Sequence, residues 1–194
     1  MKKIQDHYFK EARKQGYVAR SAFKLEEMDR KFRLLRRGQH VIDLGCAPGS
    51  WLQYAAKKVL PEGSLTGVDL KQVKIHFQES VRIFQSDISM LEESILASSR
   101  FDLVLSDMAP DTTGIPSVDS QRSYDLNSQA LSFAQRHLKP GGTLVLKAFQ
   151  GEPLNRLKSE IRPCFESFKL FKPKSSRSES VEIFVLGFGL LPQS

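Results

Sequence analysis

The chain has 194 residues, of which 40% are hydrophobic, enough for one domain with a buried core and with little length left for further modules. No run approaches the roughly 20 apolar residues of a membrane span, and the opening MKKIQDHYFKEARKQGY lacks the apolar stretch of a signal peptide or the Arg-rich, acid-poor character of a transit peptide. A cytoplasmic, monomeric protein with no membrane partner is therefore expected, or a mitochondrial-matrix one from which a transit peptide has been removed. The net charge of +7 lies wholly in residues 1–37, which carry 12 Lys/Arg against 5 Asp/Glu, leaving 17 of each sign in the remainder.

Residues 1–20 are polar and basic and are expected to order only in part. From Ser21, a candidate N-cap, the segment 21–35 places Ala22, Leu25, Met28 and Phe32 on one face and reads as a helix that docks on the rest of the domain, residues 21–194. Short β-branched or Leu-rich runs then follow at 40–45, 64–70, 81–87, 101–107, 143–149 and 181–189, with a weaker one at 168–172. Helical patterns separate most of them, at 51–60, 88–98, 117–138 and 153–161, and Pro61-Glu62-Gly63 and Pro140-Gly141-Gly142 end two of these. The pattern predicts an α/β fold: a seven-stranded, mostly parallel sheet with helices on both faces. The last two runs are joined by KPKSSRSES, too short and polar for a crossover helix, so one strand should run antiparallel.

Cys46 and Cys164 are too few for a zinc cluster, and His7, His40, His76 and His137 have no ligand spacing, so free thiols and no metal are expected.

Ligands of an open α/β sheet bind beyond the carboxyl ends of its strands. There the first strand gives Asp43-Leu44-Gly45-Cys46-Ala47-Pro48-Gly49-Ser50-Trp51, a turn in which two glycines admit a ligand close to the backbone and Pro48 stiffens the path. A nicotinamide enzyme would carry G-x-G-x-x-G here, and this chain does not. Asp69, Asp87 and Asp107 close the next three strands. Carboxylates at successive strand ends repel a pyrophosphate and suit a nucleoside bearing a positive charge, with Asp69 placed for ribose hydroxyls and Asp87 for an adenine amino group.

A second basic stretch, Arg156, Lys158, Arg162, Lys169, Lys172, Lys174 and Arg177, faces only Glu160 and Glu166. Two basic segments flanking a neutral middle suggest a polyanion held across the site. Arg20, Arg33, Arg36, Lys172, Lys174 and Arg177 are the candidate contacts to an RNA backbone.

The residues Gly16-Tyr17, Arg20-Ser21-Ala22-Phe23-Lys24-Leu25, DLGCAPGSW, Asp69, SDMAP (106–110), LKPGG (138–142), LVLKAF (144–149) and Glu182 cover nearly the whole chain. In them the chain resembles the FtsJ-like family of RNA ribose 2′-O-methyltransferases, members of which act on large-subunit ribosomal RNA. Two positions depart from the pattern, Ser50 where a second Gly often precedes the Trp, and Asp111 where Asn often follows SDMAP. The resemblance implies a Rossmann-like methyltransferase fold and S-adenosylmethionine as cofactor, bound through Gly45, Pro48, Gly49, Ser50, Trp51, Asp69, Asp87 and Asp107. It implies ribosomal RNA as partner, within the large subunit and at a uridine, and a catalytic tetrad of Lys24, Asp107, Lys147 and Glu182. Glu182 matches the spacing from Ser175-Ser176-Arg177, and Glu179, three residues earlier, stays open as the alternative.

A ribose hydroxyl is a weak nucleophile whose proton must be removed or shared as the new bond forms. Lys147 is the candidate base, with Lys24 close enough to favour its neutral form by like-charge repulsion, and Asp107 and Glu182 orienting the ammonium groups. Other readings are methylation of transfer RNA or an mRNA cap, a non-catalytic RNA-binding assembly factor that keeps the fold, and a nicotinamide-dependent reductase.

Overall fold

The structure, a computed structural model, describes residues 2–77, 79–91, 100–177 and 179–192, with side chains from residue 7 onward. Its elements in chain order are α1 (Lys2–Lys14), α2 (Ala22–Phe32), β1 (His40–Leu44), α3 (Ser50–Val59), β2 (Ser64–Asp69), β3 (Val81–Gln85), β4 (Phe101–Ser106), α4 (Pro116–His137), β5 (Leu138–Phe149), α5 (Glu152–Ile161), β6 (Phe165–Phe171) and β7 (Glu182–Leu190). The basic segment 1–20 thus contributes a helix. Of the pattern at 88–98, a 3₁₀ turn over Ile88–Met90 capped by Asp87 is present, and 92–99 lie outside the described residues.

The seven strands form one sheet in the order β3-β2-β1-β4-β5-β7-β6. The pairs β1·β2, β1·β4, β2·β3 and β4·β5 are parallel. β7 runs antiparallel to both β5 and β6 and is the single reversed strand. The chain winds outward from β1 to β3, then restarts beside β1 with β4 and winds the other way. This reversal between β1 and β4 opens a crevice at their carboxyl ends.

Alternation along each strand builds two cores. Val41, Leu65, Leu103, Leu105, Val145, Phe184 and Leu186 face α2 and α3, with Leu25, Met28, Trp51 and Leu52 packed onto them. Ile42, Leu44, Val68, Val104, Leu144, Leu146 and Val185 face α4 and α5, with Phe133, Ala134, Leu157 and Ile161 opposite. Helices therefore cover both faces, as the βαβ pattern requires.

Two local expectations fail for physical reasons. Ser21 has helical backbone angles and no side-chain cap; its hydroxyl is 2.7 Å from that of Ser50 and ties α2 to α3 instead. The strand expected at 143–149 begins at Leu138, because Leu138 already pairs with Phe101 before the register shift that leads to Thr143.

Candidate active site

At the carboxyl end of the sheet Asp107 follows β4, Lys147 lies two residues before the end of β5 and Glu182 opens β7, and α2 adds a fourth charged residue. Lys147 follows the apolar LVL of β5 and is 6% exposed. Its Nζ donates to the backbone oxygen of Asp107 at 2.5 Å and lies 2.9 Å from Asp107 Oδ1 and 3.9 Å from Glu182 Oε1. Glu182 opens β7, and because β7 is reversed its first residue reaches the same end of the sheet as the last residues of β4 and β5. Lys24, in the first turn of α2 and 8% exposed, donates to the other oxygen, Glu182 Oε2, at 2.8 Å. Burial acts to raise the Glu182 carboxyl, and the ammonium groups of Lys24 and Lys147 outweigh it, so the group sits below the ordinary glutamate range.

The geometry places Glu182 in contact with both lysines. It also changes one expectation. Lys24 does not bear directly on Lys147; the Glu182 carboxylate bridges the two, so the cluster is a chain of alternating charges, Asp107–Lys147–Glu182–Lys24.

Beside this cluster a cleft of about 630 Å³ opens over the switch between β1 and β4, lined by Gly45, Asp69, Asp87, Asp107, Met108 and Arg122 among others. Gly45 has φ +77°, and a Cβ there would lie 2.5 Å from Met108 Cγ and 3.1 Å from its Cα, so only glycine lets the turn pass under the β4 loop. Asp69 fixes the turn by accepting from the Ala47 N–H on Oδ2 at 2.8 Å and from Lys71 N–H on Oδ1 at 2.7 Å, which leaves lone pairs on both oxygens. Asp87 accepts from the N–H and hydroxyl of Ser89 on Oδ1, holding its carboxyl below the ordinary range and leaving Oδ2 with acceptor capacity.

Comparison with known proteins decides the family. The FtsJ-like methyltransferase model matches residues 17–190. The ribosomal RNA large subunit methyltransferase E of Desulfatibacillum aliphaticivorans is 46% identical over 186 residues, covering 95% of this chain and 90% of that protein. Its namesake from Oleidesulfovibrio alaskensis is 42% identical over 193 residues, covering 97% and 93%. A Plasmodium falciparum chain described as a putative ribosomal RNA methyltransferase superposes with a TM-score of 0.81 at 27% identity, covering 91% of this chain and all of its own.

The chain belongs to the FtsJ-like methyltransferase family.

Within this FtsJ-like methyltransferase, not every residue read from the sequence reaches the cleft. Gly45, Asp69, Asp87 and Asp107 line it. Trp51 is 2% exposed, packs 5.9 Å from the Phe184 ring and donates its indole N–H to Ser21 O at 2.8 Å, so it joins α3 to α2 and β7. Ser50 is buried with it. Gly49, at φ +109°, turns the loop beneath Val73 and Ile75, and Pro48 is exposed on its outer side.

The basic candidates divide in the same way. Arg20 stands near Arg177 and Glu182: burial first, then the like charge of Arg177, lower its guanidinium from the ordinary arginine range, against the pull of Glu182. Lys174 and Arg177 lie on the β6–β7 loop at this end of the sheet, where Glu27 of α2 accepts from the N–H groups of Lys174 and Ser175 at 2.7 and 2.8 Å. Lys172 spends its ammonium on Ser180 O at 2.8 Å. Arg33 and Arg36 are not beside the site. They follow α2, nine or more residues beyond Lys24, about 14 Å along the helix, and border a separate hollow with Gln39 and Lys139 at the opposite end of the sheet.

Two residues of interest carried little signal in the sequence. Arg122 reaches the cleft from α4 and donates to Asp111 O at 3.3 Å. Asp43, at the end of β1, is 1% exposed with both carboxylate oxygens unpartnered among the described residues. Burial, then Asp107, then Asp69 raise its carboxyl well above the ordinary range. The signal for Asp43 was an acidic residue inside an otherwise apolar strand.

Proposed function

We propose that this methyltransferase uses S-adenosylmethionine to methylate a ribose 2′-hydroxyl of large-subunit ribosomal RNA. The observation that carries the reading is the chain of alternating charges from Asp107 through Lys147 and Glu182 to Lys24, set at the rim of an acid-lined nucleoside-sized cleft.

The residues present fit such a cofactor. Gly45 and Ala47 line the cleft, so a ligand there lies against the turn after β1, and Asp69 and Asp87 have acceptor capacity left for ribose hydroxyls and an amino group. Carboxylates around the cleft favour a cationic ligand over a phosphorylated one. When bound, S-adenosylmethionine supplies a methyl group on a cationic sulfur that leaves as a neutral thioether.

Lys147 is the residue placed to take the hydroxyl proton. Its Nζ is held by the hydrogen bond to the backbone oxygen of Asp107, with Asp107 Oδ1 at 2.9 Å and Glu182 Oε1 at 3.9 Å, so the nitrogen has a fixed position beside the cleft. Lys24 anchors Glu182 and adds positive charge near the acceptor. Arg20, Lys174 and Arg177 are the cations beside this cluster that suit the phosphodiester backbone. The named relatives, ribosomal RNA large subunit methyltransferases, support the choice of RNA. A monomer working in the cytoplasm accords with this reading.

The test is product analysis. Large ribosomal subunits from cells lacking the activity, incubated with the protein and labelled S-adenosylmethionine, should yield label in a 2′-O-methyl nucleoside, and Asp69→Ala should weaken cofactor binding in calorimetry. Label on a base, or equal binding of a nicotinamide dinucleotide, contradicts the assignment.

A further inference from the structure

The ion-paired chain has a cavity on each side. Asp107 lines the larger cleft, whereas Glu182 lines a second cavity of about 310 Å³, bounded by Thr112, Gly114, Phe149, Gln150 and Val181. Lys147, in contact with both carboxylates, stands at the junction. A group-transfer enzyme needs two substrates to meet at one reacting centre, and two cavities flanking the proton-accepting residue satisfy that demand.

We infer that the second cavity receives the base of the acceptor nucleotide, taken singly out of the RNA stack, and so selects an unpaired nucleotide. The inference rests on the RNA 2′-hydroxyl reading above and goes further by naming where the base goes. The cavity's size is near the lower end of the roughly 300–1,000 Å³ range of small-ligand sites, which suits one nucleotide and excludes a base pair. Its floor is Phe149, the buried aromatic that ends β5, and Val181 gives an apolar flank that is 50% exposed. Apolar and aromatic walls with a few polar groups are what a base removed from its stack requires. The polar groups include the hydroxyl of Thr112 and the amide of Gln150, with Asp119, Glu179, Ser180 and Glu182 also lining the cavity.

The walls are held in place by the protein's own hydrogen bonds. Asp119, in the first turn of α4, accepts from Thr113 N–H and hydroxyl on Oδ1 at 2.7 and 2.8 Å and from Gly114 N–H on Oδ2 at 3.1 Å, fixing the 112–114 wall. Opposite, Gln150 N–H donates to Val181 O at 2.8 Å and Ser180 Oγ accepts from Glu182 N–H at 3.2 Å, so the strand edge carrying Val181 is continuous with the glutamate of the charged chain. The Arg20 guanidinium lies near Glu182 and near Arg177, where a phosphate joined to that nucleotide would need a cation.

The experiment fills the cavity from each wall. Val181→Trp and Thr112→Trp change exposed side chains and leave the backbone bonds in place, and thermal unfolding of each should match the parent. With large ribosomal subunits as substrate, kcat/KM should fall about 10²-fold for both, the size of effect expected when a reacting group is misplaced by about an ångström, while S-adenosylmethionine affinity is unchanged. Wild-type kcat/KM in both tryptophan variants overturns the cavity assignment and leaves the 2′-hydroxyl reading standing. Methylation of a base by the parent protein overturns both.

Discussion

Lys24 and Glu182 are 158 residues apart in sequence and 2.8 Å apart in the fold. The contact closes the domain: it pins the first turn of α2 to the start of the reversed strand and supplies the charge that holds Glu182 ionised inside a mostly buried cluster.

That ionisation has a pH signature. The carboxyl of Glu182 is lowered on folding, so its contribution to stability is present above the ordinary glutamate range and is lost as pH falls through the folded value. Glu182→Gln should therefore be less stable than the parent near neutral pH, with the gap closing in acid. Thermal unfolding of both proteins across this range checks it, and a gap that is independent of pH would count against the ion pair. Glu182→Gln should also retain measurable methylation, since Glu182 steadies Lys147 from 3.9 Å and does not receive the proton.

Asp43 has the opposite sign. Its carboxyl is raised on folding, so the unfolded chain releases a proton that the folded chain retains, and stability falls as pH rises from the ordinary aspartate range toward the folded value. Asp43→Asn, which cannot ionise, should gain on the parent over that interval. Parallel pH profiles for the two proteins would mean that Asp43 is paired in solution.

Asp69, Asp87 and Asp107 were legible because strand periodicity determines which end of a strand carries chemistry, whereas Lys24, Lys147 and Glu182 were named through the family resemblance, and topology explains why they meet. Asp107 and Lys147 follow apolar runs in parallel strands, and Glu182 starts a strand whose preceding loop has no room for a crossover, so all three had to gather at one end. Direction about a turn is harder. Trp51 follows the glycine turn in sequence, yet the first turn of α3 rotates it onto Phe184 and Ser21 because burying an indole there outweighs lining a wet cleft. Arg33 and Arg36 share a charge cluster with Arg20 in sequence, but an intervening eleven-residue helix carries them to the far end of the sheet. Net charge along a chain does not reveal which cations a helix separates.

This separation predicts a graded response to charge reversal. Arg20→Glu and Arg177→Glu should weaken RNA binding and lower the salt dependence of the affinity, by about 0.7–0.9 in log–log slope for each phosphate no longer neutralised. Arg33→Glu and Arg36→Glu should have smaller effects on both. Filter binding over a salt series measures this directly, and equal effects from all four would place the RNA along both ends of the sheet.

Lys147 takes the hydroxyl proton while Asp107 and Glu182 hold it in position, on the reading proposed above. Losing a positioned general base costs about 10²–10⁴-fold in rate, so Lys147→Ala should be nearly inactive with cofactor affinity little changed. Lys147→Arg separates the roles, because a guanidinium keeps the charge and cannot give up a proton at accessible pH. Single-turnover methylation of large ribosomal subunits by Lys147→Arg should be slowed nearly as far as by Lys147→Ala; a wild-type rate would make Lys147 an electrostatic anchor and contradict its role as the base.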